Sequence, residues 1–260
     1  MSQRLVELDT ATDAATATIT LNRADKRNAL SIQLLDELLA AVTSASADLT
    51  RRVLILSGNG PAFCAGLDLK EAADPSNNDR SARALADVYK AIAQSPLVTI
   101  AAVHGAVMGG GIGLMAACDF VLAADDTSIA FPEVRRGLVA ALVTTLVHRQ
   151  VPDRTLRELV FLGQTITANQ AMSIGLVNRV VPLHQLQMEA NGLASHVLQG
   201  APNAIARTKR LLDGLFPHPI SAGLDYALQY HLQARDDAES AEGIAAFLAR
   251  RPPVWGPRRA

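Results

Sequence analysis

Residues 103–114 read VHGAVMGGGIGL, and this stretch decides the fold prediction. Apolar residues that end at Val103 predict a buried strand, and the run Ile112–Ala117 predicts an apolar helix. The glycines between them leave backbone N–H groups unhindered at a helix N-terminus, where an anion or a developing oxyanion is favoured. Tight packing of a strand against a helix explains the same glycines equally well. Both interpretations stay open from this segment alone.

Two phosphate-binding motifs can be tested against this stretch by spacing. Gly109, Gly111 and Leu114 do not satisfy the G-x-G-x-x-G pattern of dinucleotide-binding proteins. The chain also contains no Gly-Lys pair, which a Walker A loop requires. Both nucleotide-binding interpretations are therefore excluded.

A second segment, AFCAGLDLKE at residues 62–71, follows a predicted strand at Val53–Leu56. It also combines small residues with free N–H groups before a short predicted helix. Two such turns after neighbouring strands can direct their amides at one oxygen atom, which is the geometry of an oxyanion hole.

Outward from these segments, predicted strands alternate with predicted helices, an order typical of an α/β fold with largely parallel pairing. Ser31 is the predicted N-cap of the helix that follows it. The polar residues 73–80, ADPSNNDR, are predicted to form a mobile surface segment. The other predicted strands are Leu5–Leu8, Thr16–Leu21, Val98–Val103, Phe120–Ala123 and a short segment at Ile129–Phe131.

Beyond Pro182 the apolar spacing predicts helices only. We therefore predict an α/β core that contains the site over residues 1–199 and a helical C-terminal region over residues 200–260. The predicted helices are Leu183–Leu198, Pro202–Leu215, Ile220–Arg235 and Ala238–Arg250.

Composition excludes several classes of function. The 260 residues carry 24 Lys plus Arg and 25 Asp plus Glu, a net charge of −1, which argues against nucleic acid or an anionic membrane as the main partner. No run of about 18 apolar residues exists, and the first 21 residues lack the apolar stretch of a secretory signal. With two cysteines and no disulfide framework, we expect a cytoplasmic protein with reduced thiols.

The whole pattern resembles the crotonase, or enoyl-CoA hydratase/isomerase, superfamily. The resemblance covers almost the entire chain, in order, and its motifs are Asn22–Leu30, residues 62–71, residues 103–114, Phe131–Leu138, Leu162–Gln164 and Ala171–Asn178. It implies a crotonase-like ββα spiral core with a helical C-terminal oligomerisation region. It further implies an acyl-CoA substrate, no cofactor beyond the coenzyme A of that substrate, no metal, and a homotrimer or a dimer of trimers.

The resemblance also assigns candidate site residues. The oxyanion-hole donors of the family fall on the backbone N–H groups of Leu67 and Gly110. Positions that contact the acyl-CoA fall on Arg27, Ala29, Ala65, Asp68, Leu69, Lys70 and Gly113. Hydratases of the family carry a glutamate at the position of Gly113 and a second glutamate in a Pro-Glu pair, which is retained here as Glu133.

Glu133 is the predicted acid–base residue. Desolvation by Phe131, Val134 and Leu138 is expected to raise the pKa of its carboxyl, which suits proton transfer near neutral pH. Glycine at position 113 can neither orient nor deprotonate a water molecule. Three alternatives follow: a hydratase whose water is held by another group, a Δ3–Δ2 enoyl-CoA isomerase, or a non-catalytic acyl-CoA-binding protein.

The remaining reactive side chains are predicted to be structural. Cys64 is expected to be a buried thiol, His104 to hydrogen-bond to nearby backbone, and Asp119 to accept from backbone N–H groups. The six histidines show no H-x-H or H-E-x-x-H spacing, so no metal site is predicted.

Overall fold

The computed structural model describes residues 4–13, 15–215, 220–236 and 238–254. Across these ranges nine strands form two sheets, of order β1-β2-β3-β4-β6-β9 and β5-β7-β8. The strands are β1 Val6–Asp13, β2 Thr16–Leu21, β3 Val53–Gly58, β4 Val98–Val103, β5 Ala106–Met108, β6 Phe120–Ala124, β7 Ser128–Ala130, β8 Thr165–Thr167 and β9 Arg179–Val181.

Eleven α-helices connect and cover these strands within the same ranges. They are α1 Ile32–Ala47, α2 Leu69–Ala72, α3 Asn78–Ala93, α4 Gly110–Ala116, α5 Ala141–Val147, α6 Asp153–Leu162, α7 Ala168–Ser173, α8 Leu186–Leu198, α9 Pro202–Gly214, α10 Ile220–Arg235 and α11 Ala238–Leu248. Short 3-10 turns lie at Ala24–Lys26, Pro75–Asn77, Glu133–Arg136 and Leu183–Gln185.

The larger sheet is parallel from β2 to β9, and only the edge strand β1 pairs antiparallel. Every residue of β4 is buried, as expected for a parallel strand covered by helices on both faces. Since β3 and β4 are parallel neighbours, their carboxyl ends lie at one edge of the sheet. The segments after these two strands are therefore brought together, and they contain both glycine turns.

Most predicted elements of the core are confirmed. Strands β2 and β4 have the predicted bounds, and the Ser31 hydroxyl accepts a hydrogen bond from Leu34 N at 3.3 Å as the N-cap of α1. Residues 73–80, which we predicted to be a mobile surface segment, form a 3-10 turn and the start of α3, with Asp74 capping the turn through Ser76 N at 3.0 Å. Of the β5-β7-β8 sheet only β7 was anticipated, through the short segment Ile129–Phe131, because strands of three residues are too short to show alternation.

The helical C-terminal region is present and packs on the core of its own chain. Helix α10 lies against α3 and α5, and the Arg235 guanidinium donates to Ser81 Oγ at 2.7 Å. Lys90 of α3 and Asp225 of α10 form an ion pair at 2.5 Å. No helix among the described residues is long and apolar enough to cross a membrane.

Candidate active site

The two glycine turns are joined by backbone hydrogen bonds. Cys64 N donates to Ala106 O at 3.2 Å, and Met108 N donates to Cys64 O at 3.0 Å. A Cβ on Gly66 would lie 2.7 Å from Met108 O and 3.5 Å from Gly110 N, so only glycine permits this approach. The two segments that the sequence predicted to converge are therefore in direct contact.

The amides of Leu67 and Gly110 are left without acceptors by this arrangement. Leu30 N donates to Gly66 O at 2.8 Å and Asp68 N donates to Leu30 O at 3.1 Å, forming a parallel bridge centred on Leu67. In such a bridge the N–H of the central residue points to the opposite side. Gly110 is the first residue of α4, where an amide has no intrahelical acceptor. Neither amide donates to a backbone acceptor in the ranges that the structure describes.

Leu67, Gly110 and Glu133 line one cavity of about 40 Å³. Its other walls are Ala65, Gly66, Leu69, Leu85, Gly109, Arg136, Leu138, Val139, Ala140, Leu142, Val143 and His231. Val139 and Ala140 also line an adjoining apolar groove of about 690 Å³ between α5, α6 and α10. The predicted catalytic residues, far apart in sequence, thus share one enclosed space.

The turn that carries Glu133 is held from two sides. The Arg135 guanidinium donates to Leu162 O, at the end of α6, at 2.9 Å. From the other side α11 packs so closely that a Cβ on Gly243 would overlap the carbonyl of Arg136. Packing by α6 and α11 therefore restricts the position of the Glu133 backbone.

The Glu133 carboxyl lies against the glycine turn. Its Oε1 lies 2.8 Å from the position that a Cβ on Gly109 would take, so Gly109 also leaves room for the carboxyl. Oε2 is buried and has no hydrogen-bond partner among the described residues, although other atoms of Glu133 reach the surface. Burial raises the pKa of Glu133 to about 7, while a backbone hydrogen bond and the charge of Arg136 oppose the rise.

The apolar environment of Glu133 differs in one residue from the prediction. Phe131 is fully buried and Leu138 is 8% exposed, in agreement with a desolvated carboxyl. Val134 is 40% exposed and faces away. It does not desolvate Glu133.

Gly113 does not line the cavity, because Tyr89 of α3 stands in front of it. A Cβ on Gly113 would overlap the hydroxyl and Cζ of Tyr89 and lie 2.7 Å from its Cε2. The Tyr89 ring is completely buried, and its hydroxyl donates to Gly110 O at 2.7 Å. The space beside position 113 is therefore filled by a phenol that the sequence analysis did not identify.

The predicted acyl-CoA contacts divide into two groups. Ala65 and Leu69 line the cavity, whereas Arg27 and Lys70 are exposed and Ala29 is half-buried outside it. The two exposed cations are free to meet phosphate groups in solvent. Arg27 itself adopts a left-handed backbone conformation with φ of 50°.

Asp68 serves the local structure. Its carboxylate caps α2 through Lys70 N at 3.1 Å and forms an ion pair with Arg23 at 2.7 Å. The sequence analysis did not identify Asn28, which is buried and donates to Asn59 O and Ala62 O, both at 2.9 Å. These contacts attach the segment at residues 22–30 to the turn at residues 62–71.

His231 of α10 is a further cavity residue that the sequence did not reveal. Its Nε2 is buried and has no partner among the described residues. Burial, with a smaller contribution from the charge of Arg235, lowers the pKa of the imidazole to about 4. Since α10 belongs to the C-terminal region, the division at residues 199 and 200 does not separate the cavity from the helical part of the chain.

The residues predicted to be structural have the expected contacts. Burial raises the pKa of Cys64 to about 12, so its thiol is not a nucleophile. His104 Nε2 hydrogen-bonds to Gly60 O at 2.9 Å, and Asp119 accepts from Thr99 N at 2.8 Å. No group of three or more His, Cys, Asp and Glu side chains suited to a metal occurs in the ranges described.

The spiral of parallel strands, the small second sheet and the helical C-terminal region are the architecture of crotonase-fold proteins. The crystal structure of an enoyl-CoA hydratase from Mycobacterium avium matches with a TM-score of 0.85 and 30% identity, covering 97% of this chain and 99% of that one. An enoyl-CoA hydratase structure from Mycobacterium smegmatis matches with a TM-score of 0.79 and 32% identity over the same shares of the two chains.

The sequence comparisons give the family. A model of the enoyl-CoA hydratase/isomerase family matches residues 11–258. The rat mitochondrial enoyl-CoA hydratase domain-containing protein 3 is 31% identical over 240 residues, covering 91% of this chain and 80% of that protein. A Thermus thermophilus protein named for enoyl-CoA hydratase is 34% identical over 242 residues, covering 91% and 96%. The chain belongs to the enoyl-CoA hydratase/isomerase family, as its resemblance to crotonases implied, and it is an enzyme of hydratase or isomerase type.

Proposed function

We propose that this enzyme binds an enoyl-CoA thioester, stabilises its enolate through the N–H groups of Leu67 and Gly110, and moves a proton at the acyl chain with Glu133. One observation carries the proposal. Two amides without acceptors and a buried carboxyl oxygen without a partner line the same small cavity. Buried polar groups normally have partners, and groups left without one in a native structure call for an explanation. A thioester substrate supplies the partners that are missing.

The chemistry follows from where charge develops. Adding a nucleophile to a 2-enoyl thioester, removing its γ-proton, or removing the α-proton of a 3-enoyl or saturated thioester places negative charge on the thioester oxygen. Each backbone donor directed at that oxygen lowers the barrier by about 3–4 kcal/mol, by analogy with the removal of single donors from other oxyanion holes. The donors need no reorganisation, because the bridge at Leu67 and the start of α4 hold them in place.

Glu133 is suited to exchange protons in both directions. A group whose pKa lies near the working pH is present in both forms and can act as base and as acid. With a pKa of about 7, the carboxyl of Glu133 meets this condition. One such group is sufficient for Δ3–Δ2 isomerisation, in which a proton leaves C2 of a 3-enoyl thioester and returns at C4. Hydration also needs a group that holds water.

The proposed substrate contacts follow the same geometry. Ala65 and Leu69 lie on the acyl-thioester side, while the exposed Arg27 and Lys70 are placed to meet coenzyme A phosphates. The reaction needs no cofactor beyond the coenzyme A of the substrate. We further propose a homotrimer or a dimer of trimers, since α9 and α10 leave Leu211, Leu212 and Tyr226 exposed.

Hydrogen exchange at the acyl chain tests the proposal. In D₂O the protein is expected to wash deuterium into C2 of butyryl-CoA, which mass spectrometry and proton NMR detect. Glu133→Gln should abolish the exchange and leave butyryl-CoA affinity within a few-fold, whereas Glu158→Gln, a change at an exposed glutamate of α6, should alter neither. Butyryl-CoA that binds without exchange would make the protein a non-catalytic binder. Exchange that persists in Glu133→Gln would remove Glu133 from the mechanism.

A further inference from the structure

His231 is a polar group of the cavity with no role in the scheme above. It projects from α10 into the wall that also contains Glu133, Leu67 and Gly110. Its Nε2 is buried and has no hydrogen-bond partner among the residues described. An orphaned ring nitrogen is costly unless a bound molecule satisfies it. The nitrogen and the Glu133 Oε2 are two partnerless buried atoms on one cavity.

The tautomer of His231 follows from its second nitrogen. The backbone of Val139 lies near the ring and favours its protonation, as a carbonyl oxygen does. Because Nε2 is the nitrogen without a partner, we assign Nδ1 as the protonated nitrogen that faces Val139. In a neutral imidazole this leaves Nε2 as a lone pair. His231 therefore presents an acceptor, and not a donor, on the ring edge away from Val139.

Burial, and to a smaller extent the charge of Arg235, keeps the ring neutral. Arg235, one turn along α10, is buried and donates to Ser81 Oγ at 2.7 Å, so its charge stays beside the imidazole. Arg136 lines the same cavity. Glu133 is the carboxyl group in the cavity wall, and burial keeps it partly protonated near pH 7. A neutral His231 accepts a hydrogen bond without taking the proton.

The cavity is large enough to hold a water molecule. Its volume of about 40 Å³, counted as the space open to the centre of a water-sized sphere, exceeds the roughly 10–15 Å³ that one buried water needs. A buried water needs two to four polar partners. His231 Nε2 and Glu133 Oε2 provide two acceptors, which together can bind both hydrogens of one water molecule.

We infer that His231 takes the place of the glutamate missing at position 113, and holds the nucleophilic water for hydration of a 2-enoyl-CoA. One O–H of the water donates to His231 Nε2, and the other donates to the Glu133 carboxylate. As the water oxygen bonds to C3, the electrons of the C2=C3 double bond shift towards the carbonyl group and form the thioester enolate, with its charge on the thioester oxygen. Glu133 takes the water proton. The enolate then collapses and takes that proton at C2. His231 is unchanged, and the net reaction adds one water.

The inference rests on the proposed function, and two reactions, exchange and hydration, test the two claims separately. Exchange at C2 of butyryl-CoA needs Glu133 and the two amides but no nucleophilic water. Hydration needs Glu133, the two amides and the nucleophilic water. It is followed as loss of the enoyl absorbance over a panel of short, long, branched and carboxylated 2-enoyl-CoAs. His231→Phe keeps a ring of similar size and removes the acceptor. It should lower kcat for hydration by about 100-fold, the size of effect expected when a reactant loses its orientation, and leave exchange within threefold.

Two variants keep the test independent of folding. In His231→Gln the amide oxygen reaches the region of Nε2, and hydration should recover to within about tenfold of the natural enzyme. His184→Gln, on an exposed turn before α8, should change neither reaction. The inference is overturned by hydration at the natural rate in His231→Phe, or by a parallel fall of exchange and hydration there. It is also overturned if the natural enzyme exchanges the C2 hydrogens of butyryl-CoA but hydrates no member of the panel. If the natural enzyme shows no exchange, the proposed function itself is refuted.

Discussion

The contact between Tyr89 and Gly113 gives the sharpest test of how this site departs from a two-glutamate hydratase. Replacing Gly113 by Ala adds a single Cβ, which would overlap the Tyr89 hydroxyl and Cζ. Tyr89 is fully buried and bonded to Gly110 O, so its ring cannot turn aside without disturbing the oxyanion turn. We expect Gly113→Ala to destabilise the fold even though alanine is the better helix former.

Two opposing effects set the change in the free energy of unfolding that Gly113→Ala causes. Alanine in place of glycine inside a helix stabilises by about 0.5–1 kcal/mol, whereas forcing an extra carbon into a packed core costs about 1–3 kcal/mol. Tyr89→Ala removes the obstacle at a cost of about 3–5 kcal/mol of its own. In that background the crowding cost disappears and Gly113→Ala should become neutral or stabilising, so the coupling free energy equals that cost, about 1–3 kcal/mol.

Urea unfolding of the four proteins of this double-mutant cycle measures the coupling. Tyr89→Phe is the matched control: it removes the hydroxyl but retains the ring carbons that lie in the way, so it should not rescue Gly113→Ala. An equal cost of Gly113→Ala in the natural protein and in the Tyr89→Ala variant would refute the steric argument. The same geometry predicts that Gly113→Glu raises crotonyl-CoA hydration only when combined with Tyr89→Ala. No gain in a folded double variant would show that the site differs beyond these two positions.

Burial raises the pKa of Glu133 from 4.5 to about 7. Between these values the folded protein holds a proton that the unfolded chain has lost, so the contribution of Glu133 to stability falls as the pH rises from about 4.5 to 7. Glu133→Gln should flatten this part of a plot of melting temperature against pH. In the direction where the carboxylate is the base, kcat/KM should rise with pH to a plateau above about 7, and a pH-independent rate would contradict this assignment. The Arg136 charge opposes the rise in the Glu133 pKa, and Arg136→Met should move the activity limb to higher pH. Gly109→Ala places a Cβ 2.8 Å from the Glu133 carboxyl at a φ of 48°, so exchange at C2 should fall at least tenfold with acyl-CoA binding retained. Light scattering at micromolar concentration should give a trimer or hexamer mass, and a monomer mass would refute the proposed assembly.

The local pattern was enough for much of the site. Val98–Val103 is apolar at every position but one and Gly109 to Gly111 follow it, so a buried strand and a helix start could be read directly from neighbouring residues. Glu133 in its Pro-Glu pair was found by resemblance, and its raised pKa was foreseen from apolar neighbours. These features depend on residues close together in the chain, where periodicity and turn chemistry act.

Other features depend on residues brought together from distant parts of the chain. Tyr89 lies on α3, an amphipathic helix whose pattern gives no sign that one ring fills the space beside Gly113. His231 lies more than ninety residues after Glu133, and only the packing of α10 against α3 and α5 places it in the cavity.

By itself, the sequence determined that glycine turns follow parallel strands, and that one carboxyl group stands near them. Tertiary structure alone decided which side chains fill the remaining space: a phenol at the first glutamate position, and an imidazole in the cavity wall. The physical reason is the distance along the chain between the residues that interact. Backbone conformation is biased by adjacent residues, whereas the volume and hydrogen-bond partners of a cavity depend on contacts between segments far apart in the chain, and no local pattern encodes them.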